Sequence, residues 1–145
     1  MKRGLILLML LARLAMAEDK DSSGTIIMEI INFRNDQGKV RVSLYASKDG
    51  FPNEYRKAYA YITGTINTER TRVVFEGVPY GQYAIGILHD ENMDSQLNTN
   101  WLGMPKEGIA ASNNAKAMFG PPSFEKASFI LNTDSLKQEI KIEYF

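Results

Sequence analysis

Lys39-Val40-Arg41-Val42-Ser43-Leu44-Tyr45-Ala46 decides the fold of this chain. Val40, Val42, Leu44 and Ala46 fall on one face, and Lys39, Arg41 and Ser43 on the other. That period of two is the mark of a half-buried strand, whose successive side chains point to opposite faces of a sheet. The last segment repeats it: Leu136, Ile140, Ile142 and Tyr144 oppose Lys137, Glu139, Lys141 and Glu143, with Gln138 a polar intruder on the apolar side. Comparable runs at Thr25–Phe33, Ala58–Ile66, Thr71–Glu76, Tyr83–His89 and Lys126–Leu131 bring the expected strands to seven. Asn35-Asp36-Gln37-Gly38 suits a hairpin and Gly77-Val78-Pro79-Tyr80-Gly81 a tight turn. Seven short antiparallel strands in one small domain predict an all-β sandwich, with a closed barrel as the lesser alternative.

Two stretches break the rhythm. Lys48-Asp49-Gly50-Phe51-Pro52-Asn53 opens a connection expected to hold a helical turn near Glu54–Lys57. Asp90–Ser123 is far longer than ordinary strand connections of about four to six residues. Trp101, Leu102, Met104, Ile109, Met118, Phe119 and Phe124 give it apolar anchors, so it is read as one long ordered loop over an end of the sandwich.

The N-terminus has the parts of a secretory signal: Lys2 and Arg3, the apolar run Leu5–Leu11, then Ala15-Met16-Ala17 as a small-x-small cleavage site. Its apolar run is too short to cross about 30 Å of hydrocarbon. The expected organisation is a cleaved signal peptide over 1–17 and a single β-sandwich domain over 18–145, periplasmic or secreted, with no transmembrane segment in the mature chain. Removing Lys2, Arg3 and Arg13 from 17 basic residues leaves 14 against 17 acidic. That mild acidity argues against nucleic acid, which needs a concentrated basic surface. The absence of cysteine excludes disulfides, thiolate metal sites and a cysteine nucleophile.

The candidate site is His89-Asp90-Glu91-Asn92-Met93-Asp94-Ser95-Gln96-Leu97-Asn98-Thr99-Asn100. Oxygen-bearing side chains recur at Asp90, Asn92, Asp94, Gln96 and Asn98, a spacing that can fold oxygens around calcium. Ser95 stands where an EF-hand has glycine and Trp101 where it has its bidentate glutamate, so this is no EF-hand. Two carboxylates would give only weak affinity, and the competing reading is a polar loop whose Asp and Asn side chains cap their own backbone.

His89 is the sole histidine, which rules out a three-histidine zinc site. Its parity with Tyr83, Ile85 and Ile87 assigns it to the end of the core face rather than to catalysis. The hydrolase alternative centres on His89, Asp90 and Asp94, but no Gly-x-Ser-x-Gly turn accompanies them. Trp101, Tyr80 and Phe119 are candidate binding aromatics for a glycan or a cell-envelope protein, against the plainer role of packing the loop.

A run of motifs in order resembles a known family. These are Phe75-Glu76-Gly77-Val78-Pro79-Tyr80-Gly81-Gln82-Tyr83-Ala84, His89-Asp90-Glu91-Asn92, Gly103-Met104-Pro105-Lys106-Glu107-Gly108, Ser112-Asn113-Asn114-Ala115 and Phe119-Gly120-Pro121-Pro122-Ser123-Phe124. The chain is similar over nearly its whole mature length to the exported bacterial family catalogued as domain of unknown function 2141. The resemblance implies a secreted or periplasmic sandwich of the immunoglobulin-like or transthyretin-like kind. It departs from the family where Met93 or Ser95 replaces a common glycine and Asn98 a common aspartate. The function expected is a non-enzymatic binding or structural module of the cell envelope, with calcium as a loop stabiliser and no other cofactor.

Overall fold

The structure, a computed structural model, describes residues 22–145; the signal-peptide reading of 1–17 lies outside them. Eight strands form two sheets: β1 (Ser23–Ile31), β2 (Lys39–Tyr45), β3 (Ala60–Gly64), β4 (Thr71–Pro79), β5 (Gly81–Asp90), β6 (Gly108–Ala111), β7 (Phe129–Leu131) and β8 (Ser135–Lys141). The smaller sheet runs β4-β1-β8; the larger runs β3-β2-β5-β6, with β7 alongside the start of β5. The all-β sandwich expected from the alternation is the observed architecture.

Three details differ from the sequence reading. The pair β1–β8 is parallel, with Ile26 opposite Leu136 and Ile30 opposite Ile140. Strand β6 emerges inside the long loop, antiparallel to β5 with Gly86 opposite Ala111. The run at Lys126–Leu131 begins not as a strand but in helix α1 (Phe124–Ala127), whose N-cap Ser123 accepts from the Lys126 amide at 3.2 Å. The helical turn in the earlier connection is present at Tyr55–Lys57.

The core is built by the predicted parity. Ile26, Met28 and Ile30 of β1 face Val40, Val42 and Leu44 of β2 and Ile85 and Ile87 of β5, all buried. Burying each such side chain contributes roughly 1.5–3 kcal/mol, so these positions dominate the stability of the domain. Ala46 lies past the end of β2 and is exposed. Gln138, the intruder, is explained by Asn113: its Oε1 accepts from the Asn113 amide at 2.7 Å and its Nε2 donates to the Asn113 side chain at 3.0 Å. Beside it Asn114 imitates a strand along the free side of β8, donating to the Glu139 carbonyl at 3.0 Å and accepting from the Lys141 amide at 2.9 Å. That pairing satisfies backbone groups that would otherwise form an open edge.

The outer face of the larger sheet is also covered at one end. Tyr45 and Ser43, of polar-face parity in β2, are buried there. The Phe51-Pro52 segment lies directly on Gly86, where a Cβ would come within 2.6 Å of the Pro52 carbonyl. Phe51 stacks edge-on against Tyr45 and Phe124, closing a small cluster with Ala84, Ala111 and Ala127. Burial pushes the Tyr45 hydroxyl up to about 12.

Candidate functional site

The end of β5 divides the candidate residues between two faces. His89, of core parity, is completely buried, with Phe33 edge-on at 5.3 Å. Its Nε2 lies 2.8 Å from the Gln37 carbonyl, which only accepts, so that nitrogen carries the proton. Nδ1 then accepts from the Tyr144 hydroxyl at 2.7 Å, and Tyr144 in turn accepts from the Arg34 amide at 3.1 Å. Both ring nitrogens are engaged with the protein's own groups, which is the core role expected from parity.

Asp90 points the other way, beneath the loop, and is equally buried. Its Oδ2 is paired with Arg41 Nε and accepts from the Ser95 amide at 2.9 Å; its Oδ1 is buried without a hydrogen-bond partner. Glu107 is the residue that sequence reasoning missed. Buried beside Asp90, it accepts from the Glu91 amide at 3.1 Å and the Asn98 amide at 3.4 Å, so one carboxylate ties both ends of the loop to β6. Burial raises its pKa, backbone donation from Asn98 opposes this, and the nearby Asp90 charge adds to the rise. Only its place in the Gly103–Gly108 motif marked it in the sequence.

Further out, Glu91 is held by Arg34 and by Asn35 Nδ2 at 3.2 Å. Burial would raise its pKa, but the hydrogen bonds from Asn35 and Arg34 together win and lower it.

The remaining oxygens of the calcium set mostly cap one another. Asn98 Nδ2 donates to Asp94 Oδ2 at 2.8 Å, Asn92 Nδ2 to Asn98 Oδ1 at 3.1 Å, and the Gln96 amide to Asp94 Oδ1 at 2.9 Å. These bonds hold the Asp94 carboxyl below its ordinary range, Asn98 foremost. Asp90 is thus turned to Arg41 while Asn92, Asp94 and Asn98 form their own ring. Among the described residues no group of three or more His, Cys, Asp or Glu is arranged to hold a metal. Met93 and Ser95 both have positive φ, 59° and 66°, a left-handed conformation that favours glycine.

Beyond this ring the chain turns back on itself. The Lys106 amide donates to the Asn98 carbonyl at 2.8 Å, and Asn100 Oδ1 accepts from the Leu102 and Met104 amides at 2.9 and 3.0 Å. The resulting hairpin forms one wall of a groove of about 450 Å³. Gly86, Leu88 and Ile109 lie along its floor, and Ala115–Pro122 forms the opposite wall. Met104, Met118 and Phe119 line it, Met104 partly exposed and Met118 and Phe119 at 90% and 88%. An apolar concavity of this size falls within the range of roughly 300–1,000 Å³ typical of small-molecule sites.

The three candidate aromatics are not one platform. Trp101 sits 90% exposed at the hairpin tip and Phe119 lines the groove, but Tyr80 precedes β5 at the opposite end. There it packs on the core, with its hydroxyl 3.4 Å from Asp134. The ten residues of β5 put about 30 Å between the two ends.

Fold and groove together define the class: an all-β sandwich domain with a ligand-sized apolar groove on the outer face of its larger sheet. Residues 28–139 match the family model described as an uncharacterized protein conserved in bacteria, DUF2141, and the chain belongs to that family. Neither the curated proteins nor the solved structures give a match. Among the described residues no helix is long and apolar enough to cross a membrane.

Proposed function

We propose that this protein is a non-enzymatic binding domain of the bacterial cell envelope, periplasmic or secreted, that takes a glycan or protein component of the envelope in its outer-face groove. The observation that carries this reading is the groove itself: about 450 Å³, mainly apolar, and walled by two exposed segments. Large apolar side chains left exposed around a concavity mark a binding surface. Nothing favours the hydrolase alternative, because His89 is buried and both its nitrogens are bonded to Gln37 and Tyr144.

The test is a titration of the mature protein with the apolar dye N-phenylnaphthylamine. Saturable fluorescence enhancement that Met118→Ser with Phe119→Ser weakens is the expected result, and both positions are exposed enough that the fold should survive. No saturable binding would sink the reading.

Calcium enters as a separable part of the proposal, ordering the loop rather than acting on a ligand. The unpartnered Asp90 Oδ1 supports it, and the internal bonding of Asn92, Asp94 and Asn98 restricts it to weak affinity. A ligand bound only by the native state raises the melting temperature. The absence of any rise in 10 mM calcium would remove this part and leave the groove untouched.

A further inference from the structure

The groove does not end on bare surface. Past Leu97 and Tyr55 it opens into a second cleft of about 680 Å³, lined by residues 53–56, 94–97 and Thr99. The two share Asn53, Tyr55, Ser95, Leu97 and Thr99 along their border, so they adjoin and differ in chemistry. One arm carries Leu88, Met104, Met118 and Phe119, with Lys116, Lys141 and Glu143 also in its lining; the other carries amides, two hydroxyls, a phenol ring and the charges of Glu54, Arg56 and Asp94.

The charges of the polar arm select among head groups. Glu54 and Asp94 stand there against Arg56 and the Lys57 that pairs with Glu54, so the arm carries no net charge to draw a phosphate or carboxylate. A cationic head would find those carboxylates already engaged, Glu54 by Lys57 at 3.2 Å and Asp94 by Asn98 at 2.8 Å. Asn53, Gln96 and Thr99 suit hydroxyl groups, and the Tyr55 ring offers a face on which a sugar can stack.

Resting on the binding reading above, we infer that the ligand is an amphiphile whose apolar chain lies in the groove and whose uncharged, hydroxyl-rich head occupies the adjoining cleft. Chain and head then contribute separately. Each methylene buried along the apolar arm tightens binding by up to roughly fourfold. Losing the head-group hydrogen bonds weakens it by about tenfold or more.

The experiment titrates the mature protein, by calorimetry and by the fluorescence of Trp101, the sole tryptophan, with octyl, decyl and dodecyl maltosides below their micellar concentrations. Maltose, dodecanoate and N-phenylnaphthylamine complete the set. Affinity should climb with chain length, maltose alone should not bind measurably, and dodecanoate should bind at least about tenfold more weakly than dodecyl maltoside. Gln96→Ala, at an amide that lines the cleft and not the groove, should bring dodecyl maltoside down toward the dodecanoate level and leave the dye unaffected. Dodecanoate binding as tightly as the maltoside while the dye still binds would overturn the amphiphile assignment and spare the binding domain. Affinity independent of chain length would overturn it too. Failure of the dye and every amphiphile would overturn both.

Discussion

Replacing Arg41 by methionine tests the electrostatics beneath the loop. Asp90 is completely buried, and besides Arg41 its Oδ2 has only the Ser95 amide, while Oδ1 has no hydrogen-bond partner. Arg41→Met keeps much of the aliphatic stem but strands that carboxylate. Breaking a buried pair from one side costs about 3–5 kcal/mol, because an uncompensated charge is left out of water. For a domain whose whole stability is of order 5–15 kcal/mol, that is a large fraction.

The opposite replacement is milder. Arg41 keeps 21% of its side chain exposed, so in Asp90→Asn the guanidinium can still reach solvent, and the loss should stay near the roughly 1.5–3 kcal/mol of a hydrogen bond to a charged group. The double variant should therefore be more stable than Arg41→Met alone, which is the reverse of additivity. Urea unfolding followed by far-ultraviolet circular dichroism reads all four proteins, provided the slopes agree. An Arg41→Met cost under about 1 kcal/mol, or additive losses in the double variant, would refute the claim that Arg41 compensates a buried charge.

Tyr144→Phe removes the donor to His89 Nδ1 and should cost about 1–3 kcal/mol in urea unfolding without changing dye binding in the groove, since His89 faces the core. Ser95→Gly keeps the amide that Asp90 needs and relieves a left-handed φ of 66°, so a gain of up to about 1 kcal/mol is expected; a loss would mean the hydroxyl has a role that the loop geometry does not reveal. The two glutamates flanking the loop titrate in opposite senses. Glu107, raised in the folded state, contributes stability that is full below the ordinary carboxyl range and is lost as pH rises through its folded pKa. Glu91, lowered, contributes stability present above that range and lost as pH falls. Urea midpoints measured from pH 4 to 6.5 should consequently rise more steeply with pH in Glu107→Gln than in the parent, and an unchanged slope would count against a carboxylate buried at that position.

The legible parts of the site are those set by parity along a single strand. His89 follows Tyr83, Ile85 and Ile87 to the core face, and the run of Asp and Asn after it was legible as a polar loop that either gathers oxygens for calcium or caps its own backbone. Glu107 was not legible, because its partners, the Glu91 and Asn98 amides, lie 16 and nine residues earlier in the chain. Nor was the separation of Tyr80 from Trp101, since an aromatic residue carries no mark of which end of a sandwich its turn will occupy.

The sequence by itself determined the strands and the sandwich. Strict alternation in segments such as Lys39–Tyr45 has one low-energy use, a sheet with its apolar face against another. Only the tertiary structure decided that β8 lies parallel to β1, that Gly108–Ala111 joins the larger sheet, and that Ser43 and Tyr45 are buried from the outer side by Phe51 and Pro52. It also decided where the outer face stays open, and so where the groove runs. The physical reason is that side-chain parity is a local property of one strand, whereas a pairing partner and the cover on a face come from distant segments, whose backbone hydrogen bonds are the same whatever the side chains.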